Sequence, residues 1–186
     1  NKAIELNPNN DMAYQNYGVI YLELKEYQKA IEYTNKAIEL NSNNDMAYYN
    51  LGLVYLNLKK FEETNNFFNK ALELNSNNEK YYVNIVSCYL ELKNYQEAIK
   101  YLNKMIKINP SNDIAYNSIG CIYAELKNYE KAIQYFNKVI TINPNNELGQ
   151  YNLGECYLKL NNYTRAIEYI NKGIDINPKI DSVSSL

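Results

Sequence analysis

The 34 residues 45–78, DMAYYNLGLVYLNLKKFEETNNFFNKALELNSNN, decide the fold because residues 11–44, DMAYQNYGVIYLELKEYQKAIEYTNKAIELNSNN, match them at 19 of 34 places and share both ends. The period continues along the chain. Residues 79–112, 113–146 and 147–180 are three further copies, 1–10 match the end of a copy and 181–186 the beginning of another. The 186 residues therefore read as a single repeat domain, 1–186, with nothing left over for a second. Within each copy, apolar residues recur at spacings of three and four in two stretches, in the first copy roughly 11–24 and 28–40, which is the helical period. Each copy is expected to be a helical hairpin whose helices are parted by a short polar stretch such as Lys25-Glu26-Tyr27. Asn-rich runs join one hairpin to the next. An Asn there can accept from the free N–H groups of the following helix, and Pro110, Pro144 and Pro178 stop the preceding one.

Composition narrows the chemistry. Lys+Arg 19 against Asp+Glu 21 gives a net charge of −2, so no basic field exists to attract nucleic acid or an anionic membrane, and neither is expected as a partner. No apolar run approaches the roughly 20 residues that cross a bilayer. The absence of His removes the commonest general base near neutral pH and most zinc-ligand sets. Cys88, Cys121 and Cys156, 33 and 35 residues apart, form no C-x-x-C pair and read as thiols of a reducing compartment. No metal and no cofactor is expected. With no charged-then-apolar leader opening the chain, an intracellular setting is expected, cytoplasmic or nuclear. The abundance of Asn and Tyr is attributed to coding bias.

Tyr48, Leu51, Gly52, Tyr55, Phe68 and Ala71 in one copy, and Tyr116, Ile119, Gly120, Tyr123, Ala132, Phe136 and Pro144 in another, resemble the tetratricopeptide repeat. That family's 34-residue pattern runs aromatic, Leu-Gly, Tyr, Ala, aromatic, Ala, Pro. The resemblance covers essentially the whole chain. It implies an all-α fold, an α-α superhelix: a right-handed solenoid of stacked antiparallel helical hairpins, the first helix of each lining a concave groove. This chain departs from the pattern in places. Tyr replaces the family's Trp in four copies and Gln150 replaces it in the fifth, Thr64 stands for Ala and Val86 for Gly. A mid-helix Gly costs about 1 kcal/mol relative to Ala, so Gly18, Gly52, Gly120 and Gly154 are expected where helices pack too closely for a Cβ.

Tyr14, Tyr21, Tyr27, Tyr33 and their equivalents fall where the family buries large side chains and are expected in the core. Tyr49 and Tyr151 follow a buried place by one residue and are expected to turn toward the groove. Lys36 and its equivalents read as a solvated edge, balanced by acids such as Glu32 four residues earlier. Asn16, Asn50, Asn84 and Asn152 recur at one place in four first helices, with Ser118 in the other. A carboxamide can engage both the C=O and the N–H of a peptide unit, and the row resembles the asparagine ladder with which some family members hold an extended peptide. Met12, Met46 and Lys80 stand one turn earlier and Leu53 nearly one turn later, giving a mixed groove with apolar anchors in its N-terminal half.

The expected function is a non-enzymatic interaction module or scaffold that binds a peptide segment of a partner protein. Two alternatives stay open. One is the substrate-recognition arm of a larger enzyme such as an intracellular glycosyltransferase; the other is a structural spacer, with end-to-end self-association through Ile167, Ile170 and Ile174, which only the residues 181–186 follow as a partial cap.

Overall fold

The structure is a computed structural model that describes Ile4 and residues 7–178. Residues 181–186, and with them the expected partial cap over the last helix, lie outside the described residues. Ten helices and no strand are formed among the described residues: α1 Asp11–Glu23, α2 Tyr27–Leu40, α3 Asp45–Asn57, α4 Phe61–Leu74, α5 Glu79–Glu91, α6 Tyr95–Ile108, α7 Asp113–Glu125, α8 Tyr129–Ile142, α9 Glu147–Lys159 and α10 Tyr163–Ile176. Every copy is thus a pair of helices, as the periodicity predicts. The chain divides into two compact units, residues 1–88 and 89–186, with the division inside α5.

In the first unit α1 packs on α2 and α3 on α4, while α2 and α1 both meet α3. Apolar faces close around Ala30, Ala37, Ala47, Leu51, Val54, Phe68 and Ala71, all fully buried. Small residues let the helices approach, and an aromatic fills what remains. A Cβ built on Gly52 would lie 2.3 Å from Phe68 Cδ1, and one on Gly18 2.2 Å from Thr34 Oγ1. In the second unit α7 packs on α8 and α9 on α10, with α6 against α7 and α8 against α9. Ala132, Phe136, Leu153, Cys156, Tyr157 and Ala166 form its core, and a Cβ on Gly120 would meet Phe136 Cε1 at 2.5 Å. Departures from the repeat pattern are absorbed locally. The Thr64 hydroxyl donates to Lys60 O at 2.8 Å, and Gln150 Nε2 donates to Pro144 O at 3.3 Å.

Most tyrosines line the packing as stacked or tilted pairs rather than as an exposed stripe, but Tyr163, the equivalent of Tyr27 in the last copy and expected in the core, is exposed. Tyr33 meets Tyr14, Tyr17 and Tyr21, the last at 5.1 Å between ring centroids, and Tyr157 stacks on Tyr169 at 5.5 Å.

The Asn-rich loops are structural at both ends of the side chain. Asn44 Oδ1 accepts from Ala47 N at 2.9 Å and so caps α3, while its Nδ2 donates to Asp11 Oδ2, 33 residues back, at 3.1 Å. Asn41 Nδ2 donates to the same oxygen at 2.9 Å. Asn146 repeats the device, capping α9 through Gly149 N at 2.8 Å and donating to Asp113 Oδ2 at 3.1 Å, with Asn143 beside it. At Asp45 the donors are Asn75 Nδ2 at 2.8 Å and the Tyr81 hydroxyl at 3.0 Å. One side chain therefore satisfies a free N–H of its own helix and ties that helix to the preceding copy.

The turn inside each hairpin has its own signature. Lys25, Lys59, Lys93, Lys127 and Asn161 all take the left-handed conformation, φ between 55° and 59°. At the first of these turns Lys25 N donates to Leu22 O and Glu26 N to Tyr21 O, a pattern repeated at Lys59, Lys93, Lys127 and Asn161. Helix C-termini closed in this way favour Gly or Asn, because a Cβ in this region costs about 1–2 kcal/mol. Lys59→Gly is expected to raise stability by about 1 kcal/mol, read as a higher urea midpoint. An unchanged or lower midpoint would mean that the lysine makes up for its backbone strain.

Candidate functional site

Side chains one turn apart on the first helices share a face. In the first unit that face carries Met12, Asn16 and Val19 from α1, Met46, Asn50 and Leu53 from α3, and Lys80 and Asn84 from α5. Met12, Met46 and Lys80 are exposed, Met12 to 65%, and Leu53 is half-buried. Met46 Sδ accepts from Gln15 Nε2 at 3.0 Å, which braces one anchor against the neighbouring helix. In the second unit the corresponding face carries Ile114, Ser118 and Cys121 from α7 and Leu148, Asn152 and Glu155 from α9. Ile114 and Leu148 are exposed.

The asparagines of the row are not equivalent. Asn16 is exposed. Asn50 is only 6% exposed, and its Nδ2 has no hydrogen-bond acceptor. Asn84 is half-buried and donates to the Tyr49 hydroxyl. Asn152, also half-buried, donates from Nδ2 to Asn117 Oδ1 at 2.9 Å and approaches Cys121 Sγ at 3.8 Å. Ser118 turns its hydroxyl back to Ile114 O at 2.9 Å, satisfying its own helix. The one buried amide donor left unpaired in the row is that of Asn50.

The two tyrosines expected on the groove are placed differently. Tyr49 is 8% exposed, stacked on Tyr81 at 4.6 Å and on Phe68 at 5.7 Å. Burial pushes its hydroxyl above the ordinary tyrosine range, and the Asn84 hydrogen bond opposes this in part. Tyr151 is half-buried over α10, where a Cβ on Gly173 would come within 3.0 Å of its ring. Both rings fill space between helices, because a residue next to the buried aromatic still faces the second helix or the next hairpin.

The lysines in register lie on solvated edges, with a correction to their partners. Lys36 pairs forward with Glu39 at 2.9 Å rather than back with Glu32, and Lys70 pairs with Glu73 at 3.1 Å. Lys172 pairs back with Glu168 through a 2.6 Å contact, the arrangement expected of the others. Such exposed pairs contribute little to stability.

A feature without a counterpart in the sequence reading is a cavity of about 430 Å³ in the second unit, lined by Cys121, Glu125, Asn152, Glu155, Cys156 and Lys159 among others. Its two cysteines are 35 positions apart, one more than the repeat, and that spacing is the signal that would have found them. Among the described residues no group of three or more Cys, Asp or Glu side chains gathers as a metal site, and no helix is long and apolar enough to cross a membrane.

Comparison with known proteins agrees with this architecture. Two tetratricopeptide repeat profiles match, one at residues 1–32 and the other at 114–146 and 148–180, and a profile of anaphase-promoting complex, cyclosome, subunit 3 matches 27–105. No curated protein sequence matches significantly. Among solved structures the chain is similar to YrrB, described as a TPR protein with an unusual peptide-binding site, at 28% identity and a TM-score of 0.64, over 95% of this chain and 91% of that one. MamA from Desulfovibrio magneticus RS-1 is similar in fold at 22% identity and a TM-score of 0.65, over 92% and 97% of the two chains. PilF from Pseudomonas aeruginosa is similar in fold at 22% identity and a TM-score of 0.59, over 90% and 76%. Helical hairpins at a 34-residue period, glycines pressed against aromatics, and repeat profiles that together match more than half of its length show that the chain belongs to the tetratricopeptide repeat family.

Proposed function

We propose that the chain is a non-enzymatic protein-interaction module that holds an extended segment of a partner protein on its first-helix faces. In the first unit Asn16, Asn50 and Asn84 would meet the segment's backbone, and Met12, Met46, Leu53 and Lys80 would sort its side chains; Asn152 would do the same on the second unit's own face. The fold is in general that of an interaction scaffold, and the peptide-binding site named for YrrB makes a peptide ligand the natural class to test. Asn50 carries the reading. An unpaired buried amide N–H costs about 1–3 kcal/mol, and a turn of the Asn50 side chain toward the face would bring that N–H to a ligand carbonyl and offset the cost. Tyr49 and Tyr151 act behind the face, Tyr49 by holding Asn84.

Peptides selected from a displayed random library against the wild-type chain test this directly. Asn50→Ala is expected to weaken the selected peptides at least tenfold, about 1.4 kcal/mol, with an unchanged helical signal. A failure to select any peptide, or equal affinity for the folded variant, would overturn the proposal.

A further inference from the structure

Cys121 on α7 and Cys156 on α9 line the same cavity, walled by Ala124, Tyr129 and Phe136 and rimmed by Glu125, Lys127, Glu155 and Lys159. Asn152 stands one turn before Cys156 on α9, and its Nδ2 lies 3.8 Å from Cys121 Sγ. Successive turns are about 5.4 Å apart, so the Cys121 thiol rests against the stripe of α9 that Cys156 continues. Cys121 is exposed and Cys156 buried, and both are free thiols. Burial first and the Glu155 carboxylate second raise both thiols above their usual range, Cys156 to about 12. Cys156 also feels the charge of Cys121. Both thiols thus line one open cavity on adjoining helices and are protonated at neutral pH, with Cys121 the one exposed to solvent.

We propose that Cys121 and Cys156 form an oxidative modification site, at which a hydroperoxide converts the two thiols into a disulfide that ties the fourth hairpin to the fifth. The exposed Cys121 reacts first. The small fraction of Cys121 that has given its proton to solvent attacks a peroxide oxygen as thiolate, the O–O bond breaks, the departing alkoxide takes up a proton and leaves as the alcohol, and Cys121 becomes a sulfenic acid. The Cys156 sulfur then attacks the Cys121 sulfur, the S–O bond breaks, and the hydroxyl leaves with the Cys156 proton as water. Two thiols and one hydroperoxide give one disulfide, one alcohol and one water. Asn117 and Asn152, each with Nδ2 at 3.8 Å from Cys121 Sγ, frame the reacting atom. The groups facing the thiols are Glu125, Lys127, Tyr129, Glu155 and Lys159. With burial and Glu155 holding the Cys121 thiol protonated, oxidation is expected to accelerate as pH rises through the alkaline range. The site does not depend on the first-helix face binding a peptide.

The reduced chain, treated with hydrogen peroxide and then alkylated, is examined by intact mass and by peptide mapping without reductant. Two of the three thiols are expected to disappear, with a loss of two hydrogens, a 121–156 cross-link, a monomeric product, a raised melting temperature and full reversal by dithiothreitol. Cys121→Ser, at the exposed position, is expected to abolish the loss, and Cys88→Ser to leave it unchanged. Retention of all three thiols, a sulfinic acid at Cys121 with Cys156 still free, or a disulfide between chains would each overturn the assignment.

Discussion

Gly52→Ala is expected to destabilise the chain by about 3 kcal/mol, at the upper end of what overpacking a buried contact costs. The new methyl would fall 2.3 Å and 2.4 Å from two carbons of the Phe68 ring. That ring cannot retreat. It is fully buried, and Tyr49 stacks on it at 5.7 Å. The second substitution Phe68→Leu should return much of the loss, since the third copy itself carries Val86 and Leu102 at these two places. Urea denaturation of the single and double variants decides the matter. A single variant as stable as the wild type would show that α3 and α4 can part freely, and a double variant no better than the single would place the strain elsewhere.

Asn44→Ala should cost about 2 kcal/mol, the sum of a lost helix cap and a lost hydrogen bond to a carboxylate. The alanine leaves Ala47 N without its side-chain acceptor and Asp11 with Asn41 as its remaining loop donor. Asn44→Asp separates the two effects. It keeps an acceptor for the cap but sets a carboxylate against Asp11, so its deficit should shrink as salt screens the repulsion. Equal midpoints for Asn44→Ala and wild type would show the contact to be incidental.

The hairpins were legible because two helical stretches repeat at a fixed period, and the close-packed glycines because a mid-helix Gly demands a reason. What the period of one helix hides is the contact between neighbouring copies. Tyr49 looks groove-facing on a helical wheel, yet Tyr81 of the next copy covers it. The caps at Asn44 and Asn146 follow from the Asn-rich loops, whereas their bonds to Asp11 and Asp113 are invisible within one copy. Cys121 and Cys156 look remote until one repeat is subtracted from their spacing. Lys59 hides its turn because Gly, the usual marker of a left-handed residue, is missing there. Within the asparagine row, sequence identity at one register conceals four different environments, which depend on what the adjacent helix offers each amide.

The bonds from Asn41 and Asn44 to Asp11 span 30 and 33 residues, and those from Asn143 and Asn146 to Asp113 span the same distances. They work as a gauge of copy length. Deleting one residue from a second helix would turn everything after it by about 100° and swing the loop amides away from their carboxylate. Genetic drift in such a chain is therefore free to exchange side chains and to duplicate or lose whole copies, but is penalised for every single-residue insertion or deletion, which accounts for five copies that diverge in sequence while each keeps 34 residues.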